Sequence, residues 1–328
     1  MKYLTIIAFT AGAIVLTTLI AHFGAEGVIR ALADLGWSNF LAIVGFHCGL
    51  IVLMGIAWWL LGRNRTDARP HRYIWGRLIR DSASEVLPFS QVGGYVLGAR
   101  AAARIGIAGS FAAASTVVDL TMELIGQLVY TALGLALLTA LQPDNRIALP
   151  ILAAIGLMTI LSLIFFFVQA RGAGLIERLA MRLMKQWLGA KLSASSSVQS
   201  DIHELHGRRG TLISCSFLHL ASWIGSGIEA WITLRLMGID IDLSSAIVID
   251  SLLYGIRSFA FMVPNALGVQ EGAYVALGSL FGIAPDVSLA LSLVRRGRDL
   301  IIGVPALIVW QLMESWRIWQ TATPTPNE

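Results

Sequence analysis

Asp119, Glu123, Gln127 and Tyr130 stand four, four and three residues apart inside the apolar stretch 111–140, a spacing that places them on one face of a helix. A second stripe, Ser288, Ser292, Arg295 and Asp299, opens the apolar stretch 286–313, with Arg296 and Arg298 beside it. An ionised side chain at mid-helix in hydrocarbon costs at least about 2.5 kcal/mol even on the lenient insertion scale, so such charges need partners or water. The expectation is a buried polar network of Asp119, Glu123, Arg295, Arg298 and Asp299, serving either as a clamp that fixes helix register or as a transport site. Arg100 and Arg104, one helical turn apart, carry guanidinium forks suited to phosphate or carboxylate headgroups. The same pair also suits plain anchoring at a cytoplasmic surface. Glu271, between Gly268 and Gly272, can pair with an arginine or take up a proton. Arg100, Arg104, Glu271, Arg295 and Arg298 are therefore the expected headgroup-binding residues.

Residues of this kind act only where long helices hold them inside a membrane. The 328 residues are 56% hydrophobic and 13% charged, with a mean hydropathy of +0.72, which does not describe a water-facing surface. Stretches near 3–21, 38–61, 111–140, 147–168, 211–237 and 286–313 are each long enough to cross hydrocarbon about 30 Å thick. The expected fold is an all-α polytopic membrane protein, a single transmembrane unit over 1–328. The net charge of +4 is carried mostly by arginine and suits loops against anionic lipid; no nucleic-acid partner is expected. Arginine and lysine concentrate after the second and fourth spans, from Arg63 to Arg80 and from Arg171 to Arg209. Those segments should be cytoplasmic, with both termini on the same side. Within 170–208, Leu175, Leu179 and Leu183 flanked by Arg178, Arg182 and Lys185 read as an amphipathic helix on the inner leaflet.

Motifs for other chemistry are missing from the sequence. It has no Walker A sequence, G-x-S-x-G elbow or CxxC. His203-Glu204-Leu205-His206 lacks the four-residue histidine spacing of a helical zinc site. Neither a metal nor a cofactor is expected. Cys48 and Cys215 both fall in apolar spans and read as small core residues.

Leu87-Pro88 is matched by Val263-Pro264, and Gly106-Ile107-Ala108 by Gly282-Ile283-Ala284, at a constant offset of 176 residues (88 to 264, 106 to 282). With 38–140 as a first half and 211–314 as a second, the second span would run inward and the fifth outward, making the repeat inverted. Each half holds a stretch too polar or too interrupted for ordinary spans. These are 73–105, with Pro88 and Gly93-Gly94, and 249–282, with Pro264 and Gly268, residues that stop helices. The expectation is about six full transmembrane helices plus two re-entrant hairpins. Backbone broken at that depth survives only beside protein or a wet cavity. The other reading makes 73–105 a surface helical pair and 244–263 a seventh span.

Leu87-Pro88-Phe89-Ser90-Gln91-Val92-Gly93-Gly94 with Gly98-Ala99-Arg100, and Val263-Pro264-Asn265-Ala266-Leu267-Gly268-Val269-Gln270-Glu271-Gly272, resemble the flippase-like family named for the lysylphosphatidylglycerol synthase transmembrane region. Leu291 to Gln311 looks most like its hopanoid-biosynthesis-associated subgroup. The resemblance implies a bacterial inner-membrane protein handling a membrane lipid, a hopanoid or an anionic phospholipid, alongside hopanoid-biosynthesis or transport partners. It implies no lysyl transfer, which in bifunctional members belongs to a separate soluble domain. Family members often carry Glu after the paired glycines, where this chain has Tyr95; at the 176-residue offset Tyr95 falls on Glu271, so a symmetric carboxylate pair is reduced to one. The functions left open are a lipid transporter, an intramembrane lipid-modifying enzyme using Asp119, Glu123 or Glu271, and a non-catalytic scaffold.

Overall fold

The structure is a computed structural model that describes Thr18 and residues 25–87, 91–141, 195–260 and 263–322. The expected spans 3–21 and 147–168, the Pro88 turn and the leucine stripe 175–183 lie outside the described residues. Among those described, all regular structure is helical: α1 (Ala25–Gly62), α2 (Pro70–Val86), α3 (Gln91–Arg104), α4 (Gly109–Leu141), α5 (Ser195–Gly207), α6 (Arg209–Leu236), α7 (Leu243–Phe259), α8 (Val269–Ser279) and α9 (Pro285–Ala322), with a 3-10 turn at Pro264–Ala266.

Three of these helices are long and apolar enough to cross a membrane: α1 over Val28–Gly62, α4 and α6. Helix α1 is broken at Gly36, whose positive φ of 69° separates the amphipathic segment 26–34 from the apolar run beyond it. Helix α9 is 38 residues long, but Arg295, Arg296, Arg298 and Asp299 interrupt its apolar run. Its second half is exposed and apolar at Leu300, Ile301, Val304, Ile308 and Leu312. With Leu41, Phe46 and Val52 on α1, Val129 and Leu133 on α4, and Ile213 and Phe217 on α6, these form an apolar exterior that water would not tolerate. The protein is a membrane protein, with its solvent-facing apolar band in lipid.

Among the described helices, α1 to α4 (set one) and α6 to α9 (set two) each run long, short, shorter, long in chain order. Set one runs 38, 17, 14 and 33 residues (α1 to α4) and set two 28, 17, 11 and 38 (α6 to α9). Packing follows the same exchange. Helix α1 lies on α6, α4 on α7 as α9 on α2, and α4 on α6 as α9 on α1. Within each set the two short helices pair as a hairpin, α2 with α3 and α7 with α8.

Gly94 and Gly98 let α3 approach α2 closely. A Cβ at Gly98 would lie 2.6 Å from the Arg80 Cβ and 2.8 Å from the Gly76 carbonyl, and one at Gly94 would lie 2.6 Å from the Arg80 carbonyl. The comparable pair Gly45 and Gly49, and Gly272, face open space, so among these three GxxxG pairs it is Gly94 and Gly98 that work as a packing seam. Helix α5, the described part of 170–208, buries Val198, Ile202 and Leu205 against the core that includes α4.

Candidate functional site

Arg77 and Arg80, which the charge asymmetry assigned to a cytoplasmic segment, are buried. They stand three apart on α2 and so point the same way, toward α4. Arg77 grips Glu123 with two nitrogens, at 2.7 and 3.1 Å, and turns its Nε to Asp81 at 2.7 Å. Arg80 donates to Asp119 at 2.7 Å and also pairs with Glu123. On the other oxygen of Asp119, the His219 Nε2 lies at 2.9 Å and the Cys215 thiol at 3.9 Å. Asp119, Cys215 and His219 bring potential ligand atoms within 4.8 Å of one another. The Arg80 guanidinium already holds this carboxylate, however, and the imidazole bonds to it directly, so the group reads as a hydrogen-bonded ion cluster. The Tyr95 ring lies under the Arg80 guanidinium at 4.2 Å. Tyr95 thus offers an aromatic face to a buried cation.

Arg295 and Arg298 do not join Asp119 and Glu123, contrary to the single network read from the sequence. Arg295 pairs with Asp250 of α7 at 2.5 Å and donates to the Ser226 carbonyl at 3.0 Å. The Tyr130 hydroxyl completes Asp250 at 3.0 Å. Arg298 pairs with Glu229 of α6 and with the adjacent Asp299 at 2.8 Å, and His47 of α1 lies 2.9 Å from the second oxygen of Glu229. The physical reason for two clusters is local: each arginine has a carboxylate on a nearer helix. Trp223 of α6 contacts both, donating to the Glu123 carbonyl and packing against Tyr130 and Tyr254.

Glu271 is fully occupied. As the third residue of α8 it accepts the Gly268 amide at 2.7 Å, and it also holds Ser292 at 2.8 Å and Arg296 at 2.6 Å. Gly268 precedes the helix with φ 79°, a conformation side chains resist. Of the two roles the sequence offers Glu271, the structure shows the pairing with an arginine, joined to a helix-terminal role. At the tip of the same hairpin Asn265, at φ 51°, donates to the Glu85 carbonyl of α2 at 2.7 Å, while Arg257 pairs with the Glu85 carboxylate at 3.0 Å.

Arg100 and Arg104 project toward the end of α9, and both pair with Glu314, Arg104 at 2.8 Å. Arg104 lines a cleft of about 410 Å³ together with Trp75, Trp310, Met313 and Glu314, and Arg100 adjoins it through the shared Glu314. The Trp310 indole nitrogen is buried with no partner among the described residues. Sequence reasoning missed Arg77, Arg80, Asp250, His47 and His219 as members of the clusters. Ser222, Ser226, Glu229 and Thr233 stand on one stripe along 211–237, a helical spacing from which Glu229 can be found.

No characterised protein and no solved structure matched this chain. The model of the lysylphosphatidylglycerol synthase transmembrane region matches residues 5–306. A membrane body with apolar flanks, an ion-paired interior and a helix pair broken at Pro264–Ala266 is thus joined to a sequence match over most of its length: the chain belongs to the lysylphosphatidylglycerol synthase transmembrane-region family.

Proposed function

We propose that the protein is a flippase-like transporter that carries an amphipathic lipid between leaflets. The observation that carries this reading is the pair of buried ion clusters in a lipid-facing helical body whose two sets of four helices pack by exchange. Secondary transporters with inverted repeats place substrate and coupling-ion sites near the bilayer midplane beside broken helices, and a polar interior of this kind would give a headgroup such a site. The two sets are read as inverted halves, with 73–105 and 249–282 as re-entrant hairpins, in a bacterial inner membrane with both termini cytoplasmic. The cleft beside Arg100 and Arg104 is the headgroup's point of arrival. Its guanidiniums suit an oxyanion, its tryptophans suit the interface between headgroups and hydrocarbon, and Glu314 is the counter-ion the ligand displaces. A hopanoid or an anionic phospholipid is the expected cargo.

The test is lipid flip in proteoliposomes, comparing fluorescent anionic and neutral lipids. R100A/R104A should slow movement at least about ten-fold, the scale set by removing one charge-assisted hydrogen bond, and wild-type rates in that variant would remove the cleft from the pathway. In cells, leaflet-resolved lipid analysis of a deletion strain separates the alternatives. Transport predicts the same lipids wrongly distributed, a lipid-modifying enzyme predicts changed products, and a scaffold predicts insensitivity to charge-neutralising substitutions that fold.

A further inference from the structure

The two ion clusters share a composition that neither half's sequence announces. In the first, Arg77 and Arg80 face Asp81, Asp119 and Glu123, with His219 on Asp119. In the second, Arg295 and Arg298 face Asp250, Glu229 and Asp299, with His47 on Glu229. Among the described residues each holds two guanidiniums, three carboxylates and one imidazole, so each is one positive charge short there when its imidazole is neutral. The neighbouring Arg257–Glu85 pair is balanced and leaves the second count unchanged. The clusters also use corresponding helices: α2, α4 and α6 for the first, and α7, α9 and α1, with Glu229 from α6, for the second.

An uncompensated charge inside a membrane is costly. The deficit can be met by one monovalent cation per cluster, and the imidazole is the side chain built to take one as a proton. We propose that His219 and His47 are a pair of proton-binding sites, one in each half, whose loading and unloading drive lipid movement with a proton gradient. The groups facing His219 are Asp119 and Glu123 on α4, Arg77 and Arg80 on α2 and Cys215 on its own helix. Those facing His47 are Glu229 on α6 and, through it, Arg298, Arg295 and Asp299 on α9. In both cases the histidine comes from the first helix of the opposite set and touches the carboxylate directly at 2.9 Å. Loading a proton therefore changes the charge at the place where the two halves meet. Binding energy differing between two conformations is what couples an ion to a transport cycle.

This inference rests on the transporter reading, and two measurements keep them separable. Full-length protein in proteoliposomes containing a fluorescent anionic lipid and an entrapped pH dye is compared with and without a pH gradient. The expected result is gradient-dependent lipid movement with accompanying proton flux, and loss of the gradient dependence in H219Q and in H47Q, whose amides keep a hydrogen bond without the charge. Lipid movement indifferent to the gradient, without proton flux, overturns proton coupling and leaves transport standing; absence of lipid movement in the wild type overturns transport. Independently of either, nitrogen NMR of histidine-labelled protein reads the rings directly between pH 5 and 8. Each of H219Q and H47Q should delete the signal of a ring that is seen doubly protonated in the wild type. Deletion of rings that stay neutral throughout refutes the sites. Wild-type spectra in which no buried ring is ever doubly protonated refute them even where a variant fails to fold.

Discussion

Arg295 and Asp250 show what a single buried charge demands in this interior. Asp250 is completely buried, and its nearest cation is the Arg295 guanidinium at 2.5 Å. Truncating one partner leaves the other with its charge and no compensation, which typically costs about 3–5 kcal/mol, whereas removing both forfeits mainly their packing. R295A should therefore lower thermal stability in detergent far more than D250A/R295A does, and the coupling energy from the double-mutant cycle is the number that checks it. Near-additive effects would mean that the pair is not closed in solution. That Asp119, Glu123, Arg295, Arg298 and Asp299 need partners was legible, because charge in an apolar stretch has nowhere else to go. Which partners they take was not. Arg77 and Arg80 sit in a polar stretch indistinguishable, by composition, from a basic cytoplasmic loop, and only the turn of α2 against α3 puts them inside.

At the scale of elements, the apolar runs 38–61, 111–140 and 211–237 emerge as the helices α1, α4 and α6, because length and hydrophobicity are local properties. The short helices are another matter. Their packing and boundaries come from glycine seams such as Gly94 and Gly98, which let α3 lie close on α2, from the left-handed Gly268, and from caps, none of which hydropathy registers. Helix α7 begins at Asp242, whose carboxylate accepts the Ser245 amide at 2.6 Å and the Ser244 and Ser245 hydroxyls at 2.9 Å. The Ser245 amide holds this carboxyl below its ordinary value of 3.8. A depressed folded-state pKa stabilises at pH above the unfolded value and loses that contribution as pH falls through the folded one. D242A should cost about 1 kcal/mol, as loss of an N-cap does, read as faster amide exchange in the first turn of α7. D242N keeps a capping oxygen that does not titrate. Its first turn should thus stay protected on acidification below pH 4, where the wild-type turn loosens; identical pH profiles for the two proteins would show that the cap contributes nothing.

At the scale of the whole molecule, the described residues tie the α2–α3 pair to the α7–α8 pair at Glu85. The α2 carbonyl end at Glu85 accepts from Asn265, at the broken tip of the α7–α8 hairpin, while the Glu85 carboxylate takes Arg257. A transporter in which one half moves against the other has to open this junction, since it is where hairpin meets hairpin and α9 lies alongside through Arg296 on the Asn265 carbonyl at 3.4 Å. Both charged groups are partly exposed, so the ion pair is worth on the order of 1 kcal/mol rather than the several of a sealed one. Such a value suits a latch: about five-fold in population follows from 1 kcal/mol, enough to bias an equilibrium without freezing it. E85Q removes the charge and leaves the backbone carbonyl that Asn265 binds, so it should raise the minor conformation about five-fold while leaving the unfolding temperature near that of the wild type. Spin labels at the exposed positions Ala108 and Ser279, in a C48S background, would report this as a second distance population by pulsed electron resonance. A distribution unchanged by E85Q, together with unaltered lipid flip, would make the junction a static brace and place the moving boundary elsewhere.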